Sequence, residues 1–257
     1  MATALITGAS SGIGMEMARI LARRRIDLVL VARREEILQK LKGELAQRNG
    51  VQVRVMALDL ADRAAVDGVF PSLQAAGIAV DYLINNAGFG THGLFQEADP
   101  ERLQAMIDVN ITALTRLTRH ALPGMRQRGR GRILNVASNA AFQPAALMSV
   151  YAATKVYVLH FSEALAVELK GTGITVTALC PGPTASAFFT VADMDNAFLV
   201  KLFKPAEVRR VAAYGLSAMM AGRPVAVHGR LNRLMAFGTR FAPRRFVAWL
   251  AYRLLKG

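Results

Sequence analysis

The sequence predicts an α/β fold: a doubly wound parallel sheet of seven strands in a single domain, followed by an amphipathic helical extension. Three observations carry that expectation. Seven short runs are apolar almost throughout, the pattern of strands covered on both faces by helices rather than of a half-exposed sheet. Longer stretches with apolar residues at helical spacing separate them, so strand and helix alternate along the chain. The first run also passes into a helix through a glycine-rich turn. The 257 residues, 53% hydrophobic and 19% charged, suffice for a full core, argue against disorder and suit one α/β unit.

Taken in order, Ala2–Thr7 reads as the first strand and 13–24 as the helix after the glycine turn. Arg23, Arg24 and Arg25 close that helix, where cations suit the dipole. A strand at 27–31 leads to a helix at 35–47 that stops before Gly50, and a strand at 51–57 to a helix at 63–76 that stops before Gly77. The fourth strand is 80–85. A long helix over 100–128 follows, with Asp99 as N-cap and Pro100 in the first turn. Strand 132–137, helix 149–170 with Gly171 just beyond it, and strands 174–179 and 224–227 complete the sheet. There is no internal repeat and no linker rich in Pro, Gly or Ser.

The charge is +14, from 32 basic and 18 acidic residues, and it is unevenly placed. Residues 201–257 hold 12 basic residues and one acid, Glu207, while the first 200 carry only +3. No nucleic-acid recognition motif accompanies this charge, so nucleic-acid binding is not expected. The single cysteine, Cys180, excludes an internal disulfide and reads as core. His92, His120, His160 and His228 lack metal-ligand spacing, so no metal site is expected. The early glycine turn leaves no room for a signal peptide ahead of it, and a cytoplasmic location is expected.

The turn reads Thr7-Gly8-Ala9-Ser10-Ser11-Gly12-Ile13-Gly14. Glycines there let backbone approach a pyrophosphate closely, while the helix N-terminus offers free N–H groups and partial positive charge. In a strand–turn–helix context this is a Rossmann-type dinucleotide site. Where many such folds place an acid after the second strand, this chain has Arg33 and Arg34. An acid repels a 2′-phosphate and guanidinium grips it, so the pair favours NADPH over NADH.

Tyr151 and Lys155 stand four apart and share a helical face. A phenol near pKa 10 exchanges protons poorly at neutral pH unless a nearby cation stabilises its phenolate, and Lys155 can supply that charge. Ser138 ends the fifth strand at the carboxyl edge, where open α/β sheets bind ligands. Its hydroxyl can hydrogen-bond a substrate carbonyl.

With these pieces, and with Asp59-Leu60, Asn85-Asn86-Ala87-Gly88, Asn110 and Pro181-Gly182 in order between residues 2 and about 228, the sequence strongly resembles the short-chain dehydrogenase/reductase family. The resemblance implies a catalytic tetrad. Tyr151 would act as general acid and base, Ser138 would orient the carbonyl, Lys155 would bind the nicotinamide ribose and lower the Tyr151 pKa, and Asn110 would hold a water linked to Lys155. It also implies NADP(H) contacts at Gly8, Ser10, Ser11, Gly12, Ile13, Gly14, Arg33 and Arg34. Asp59 and Leu60 would meet the adenine. Asn86, Ala87 and Gly88 would support the adenosine side, and Pro181, Gly182, Thr184 and Ser186 would border the carboxamide. The two long helices resemble the pair through which the family pairs subunits, so a homodimer or homotetramer is expected.

The family's substrate-covering segment here contains Phe188, Phe189, Val191, Met194, Phe198, Leu199, Leu202 and Phe203. An apolar cover favours an apolar substrate, with Phe188 and Phe189 as candidate contacts beside Ser138 and Tyr151. The expected activity is NADPH-dependent reduction of a hydrophobic ketone or aldehyde. Rival readings are net oxidation of a secondary alcohol with NADP and an NADPH-binding sensor without turnover. The complete tetrad argues against the sensor.

The catalytic and cofactor-binding domain is expected to span 1–228 and the basic amphipathic extension 229–257, as two short helices broken near Pro243. Three placements suit such helices: a subunit interface, a cover over the substrate site, or an anionic membrane surface. Packing on the protein is favoured over peripheral membrane contact. No apolar stretch is long enough to span a bilayer.

Overall fold

Alternation of apolar strands with amphipathic helices yields one sheet with helices on both faces. The computed structural model describes residues 2–185, 192 and 205–256. The strands are β1 (Thr3–Thr7), β2 (Asp27–Ala32), β3 (Val53–Ala57), β4 (Tyr82–Asn85), β5 (Gly131–Val136), β6 (Ile174–Cys180) and β7 (Val225–Val227). All are parallel, in the order β3-β2-β1-β4-β5-β6-β7. The order reverses between β1 and β4, which opens a crevice at the carboxyl ends of those two strands.

One face is covered by α1 (Gly12–Arg23), α2 (Glu35–Asn49) and α7 (Val208–Met220). The other carries α3 (Arg63–Ala75), α4 (Pro100–Ile107), α5 (Leu114–Gln127) and α6 (Ser149–Glu168). Along β1, Ala4 and Ile6 join the first core and Leu5 the second, so each strand feeds two apolar layers. This is why the runs are apolar without alternation.

A buried polar chain crosses the second layer. Asn85 Nδ2 donates to Thr118 Oγ1 (3.0 Å) and to Asn135 Oδ1 (2.9 Å), and Asn135 Nδ2 donates to Ser162 Oγ (2.9 Å). Asn85 and Asn135 are register partners on β4 and β5, so these bonds tie the strands to α5 and α6 behind the site.

The expected single helix over 100–128 is corrected in one respect. Between α4 and α5 the chain widens into a π-type turn over Asp108–Ala113, which holds Asn110. The extension forms α8 (Arg230–Gly238) and α9 (Arg244–Leu255), with Pro243 as the N-cap of α9. Among the described residues no helix is long and apolar enough to cross a membrane.

Candidate active site

The carboxyl ends of β1, β4, β5 and β6 border a cavity of about 570 Å³. Its first half is built on the glycine turn. Thr7 Oγ1 accepts from the backbone N–H groups of Asn86 (2.9 Å) and Ala87 (3.0 Å), and Asn86 Nδ2 donates to Thr7 O (2.9 Å), so β4 braces the end of β1. Gly8 adopts φ +65°. A Cβ on Gly14 would lie 2.6 Å from Gly8 O, so only glycine lets α1 start this close to the turn. Gly14 thus packs behind the turn, whereas Gly8, Ser10, Ser11, Gly12 and Ile13 line the cavity. Ser11, the N-cap of α1, makes no side-chain capping bond and the first turn carries no acid, which leaves that helix start suited to an anion.

Arg34 folds back over the turn, donating from Nη2 to Ser10 Oγ (3.1 Å) and Ser10 O (3.2 Å). Arg33 is more exposed and stands 3.9 Å from Asp59. Both arginines, Asp59, Leu60, Asn86, Ala87 and Gly88 line this half. The contact between Arg34 and Ser10 was not evident from sequence, because neither residue alone signals its partner.

In the second half, Ser138 follows β5, and its Oγ accepts from Ala140 N at 3.1 Å. Tyr151 lies in the first turn of α6 and Lys155 one turn on. The Ser138 and Tyr151 hydroxyls are hydrogen-bonded, and both residues line the cavity. Burial pushes the Tyr151 phenol up to about 12, only partly offset by Ser138. Burial also pulls the Lys155 ammonium down to about 8. Lys155 Nζ lies 5.8 Å from the Tyr151 ring centroid and donates to Val136 O at 2.8 Å. Burial therefore sets the direction of the Tyr151 shift, opposite to the lowering expected from Lys155.

Asn110 is buried and does not line the cavity. Its Nδ2 donates to Phe89 O (3.0 Å) and Thr154 Oγ1 (3.0 Å), and its Oδ1 accepts from Phe89 N (3.1 Å). It thus fixes the Gly88–Phe89 backbone against the turn of α6 that carries Lys155. Pro181, Gly182 and Thr184 line the cavity below β6. Ser186, Phe188 and Phe189, with the rest of the predicted cover, lie outside the described residues.

Sequence reasoning did not place Phe89, Gln143 and Met148 on the wall, nor Ala251, Leu254 and Leu255 of α9. The last three put α9 on the cavity wall, as one of the three placements of the extension requires. His92 Nε2 meets Leu255 O at 2.9 Å and pins that end. Among the described residues no group of His, Cys, Asp and Glu could hold a metal.

A nucleotide-sized crevice at a topological switch point, with paired hydroxyls and a lysine on its wall, defines the site of a nucleotide-dependent oxidoreductase. The profile of the short chain dehydrogenase family matches residues 2–196. The chain belongs to the short-chain dehydrogenase/reductase family. NADP-dependent 3-hydroxy acid dehydrogenase YdfG of Salmonella typhi is 39% identical over 188 residues, 72% of this chain and 74% of that protein. Ketoacyl reductase HetN of Nostoc sp. is 33% identical over 189 residues, 74% of this chain and 66% of its own length, so the chain spans just under two thirds of that relative. A short-chain dehydrogenase from Sphingobium yanoikuyae in complex with NADPH superposes with a TM-score of 0.84 at 36% identity, covering 94% of both chains. The bulky-bulky ketone specific alcohol dehydrogenase from Comamonas testosteroni superposes with a TM-score of 0.80 at 30% identity, covering 96% of this chain and 99% of that one.

Proposed function

We propose that this protein is an NADP(H)-dependent oxidoreductase that reduces a hydrophobic ketone or aldehyde to the alcohol. The observation that carries the reading is the hydrogen-bonded Ser138–Tyr151 pair on the wall of the cavity that also holds the glycine turn and Arg34. The residues present fit the cofactor: the α1 N-terminus suits the pyrophosphate, and Arg34 and Arg33 suit a 2′-phosphate. NADP(H) supplies or accepts the hydride.

The remaining chemistry belongs to the chain. Ser138 and Tyr151 each donate a hydrogen bond to the carbonyl oxygen and polarise it. As hydride reaches the carbon, Tyr151 gives its proton to that oxygen, leaving alcohol and a phenolate. The Lys155 charge stands beside that phenolate. The NADPH complex of the Sphingobium relative and the ketone specificity of the Comamonas one support this reading.

The reading includes two partners. A second copy would pair through the long helices α5 and α6. An anionic lipid surface would meet α8, α9 and the turn between them, where Leu234, Phe237, Phe241 and Trp249 are exposed beside seven basic residues and no acid between 230 and 256. Flotation that leaves the protein behind with anionic vesicles refutes the lipid contact, and a monomer in sedimentation refutes the pairing.

The central test is loss of NADPH absorbance against a panel of hydrophobic ketones and aldehydes, with NADH and Tyr151→Phe as controls. NADPH-selective turnover abolished by the substitution is expected. Tight NADPH binding without Tyr151-dependent turnover across the panel refutes the reductase.

A further inference from the structure

A second cavity of about 450 Å³ lies between α8, α9 and the body of the fold. Its size falls within the roughly 300–1,000 Å³ typical of ligand sites. The two cavities share wall residues: Asn139, Gln143, Pro183, Ala251 and Leu254 border both. Asn139 is the neighbour of Ser138, so the shared wall begins one residue from the carbonyl-orienting hydroxyl.

The junction is locked in place. Asn139 Nδ2 donates to Asn232 Oδ1 (3.4 Å), and Asn232 Nδ2 donates to His228 O (2.8 Å), which ties the start of α8 to the turn after β5. Away from these amides the lining is mainly apolar, with Met235, Val247 and Leu254 beside the polar Gln143, His228 and Thr239. Leu231, Phe246 and Leu250 line the chamber and are also exposed, which marks its mouth. Apolar side chains that ring an open chamber gain from an occupant that removes them from water. The charged side chain among the described lining residues is Arg230, itself exposed.

We propose that this chamber is a second subsite of the active site and receives an unbranched alkyl arm of the substrate, so that the preferred carbonyl compound carries one long apolar chain. This rests on the reductase reading and narrows its substrate class. Most of the lining comes from α8 and α9, beyond residues 2–196 that the family profile covers, and Asn139, Gln143, Pro183, Ala206 and His228 of the body complete it.

The test uses 2-alkanones from 2-hexanone to 2-dodecanone. Each methylene that enters the chamber should raise kcat/KM by up to roughly fourfold, the value for full burial of a CH₂ group. Met235→Phe combined with Val247→Phe fills the chamber from residues absent from the first cavity's wall. The ratio of kcat/KM for 2-dodecanone over 2-hexanone should fall at least tenfold in that variant. A binding readout keeps the two readings apart. Trp249 is the sole tryptophan and packs 5.9 Å from Phe246 at the mouth, so 2-dodecanone should change its fluorescence saturably without NADPH, and 2-hexanone should not. A saturable change with no turnover of any ketone would retain the subsite and sink the reductase. Turnover with a flat chain-length profile, or an unaltered ratio in a folded double variant, overturns the subsite. If the double variant does not fold, the wild-type profile and the Trp249 titration decide.

Discussion

Arg34→Ala isolates the choice of nucleotide. The Arg34 guanidinium is already held over the glycine turn by Nε and Nη2 contacts to Ser10 of 3.1–3.3 Å, so little rotamer freedom is left to lose when it meets a phosphate. A hydrogen bond to a charged group is worth about 1.5–3 kcal/mol, and about 1.4 kcal/mol is tenfold in Kd. NADPH affinity should therefore fall roughly 10- to 100-fold. NADH lacks the 2′-phosphate and should lose less than about threefold, through the Ser10 contacts alone. Arg33 is the internal control: with its side chain 76% exposed and only a long 3.9 Å pair to Asp59, its replacement should matter less. Equilibrium titration of both nucleotides at one fixed ionic strength makes the comparison, since phosphate contacts are screened by salt. Equal weakening of NADPH and NADH would reduce Arg34 to a brace for the turn. Unchanged NADPH affinity would remove it from the site.

Three further outcomes follow from the same geometry. The folded Lys155 titrates near 8 and free lysine near 10.5, so between those values the unfolded chain holds a proton that the folded one has lost, and stability rises with pH across that window. Lys155→Met should therefore raise the unfolding free energy from urea denaturation at pH 7 by at most about 3 kcal/mol less the lost bond to Val136, with the gain fading toward pH 10.5 while turnover disappears; a variant less stable than wild type at pH 7 contradicts this. Asn135→Ala strips partners from Asn85 and Ser162 inside the fold and should cost about 1–3 kcal/mol in denaturant unfolding, whereas a cost near zero would mean the buried chain carries no stability. His92→Ala releases the end of α9 and should lower kcat/KM for hydrophobic ketones about fivefold while leaving the Kd for NADPH alone; a change in nucleotide affinity instead would place α9 against the cofactor half.

What could be read from sequence was local. The seven strands fall within two residues of their expected ends, because a sheet covered on both faces needs continuous apolar runs. Tyr151 and Lys155 share a helical face by spacing alone. What could not be read depends on remote partners. A period count over 100–128 tolerates the extra residue of the wide turn at Asp108–Ala113, and the partners that meet there, Asn110 with Phe89 and Thr154, lie 21 and 44 residues away. The amphipathic pattern of 230–255 foretold two helices and their break at Pro243, yet the same pattern served three placements, and the contact of Ala251, Leu254 and Leu255 with the cavity depends on remote residues that the pattern does not name.

The acid–base pair shows the deeper reason for such gaps. Charge reasoning from Tyr151 and Lys155 alone expects a lowered phenol, since it counts a neighbouring cation and not the water that folding removes. In the folded site the desolvation that makes the cavity apolar also disfavours both charged forms, raising Tyr151 toward 12 and lowering Lys155 toward 8. The phenol stays protonated but becomes a weaker acid, so giving up its proton depends on groups that stabilise the phenolate, Ser138 and the Lys155 charge among them. The proton balance of the pair is therefore set by the burial of both groups, which no spacing in the sequence reports.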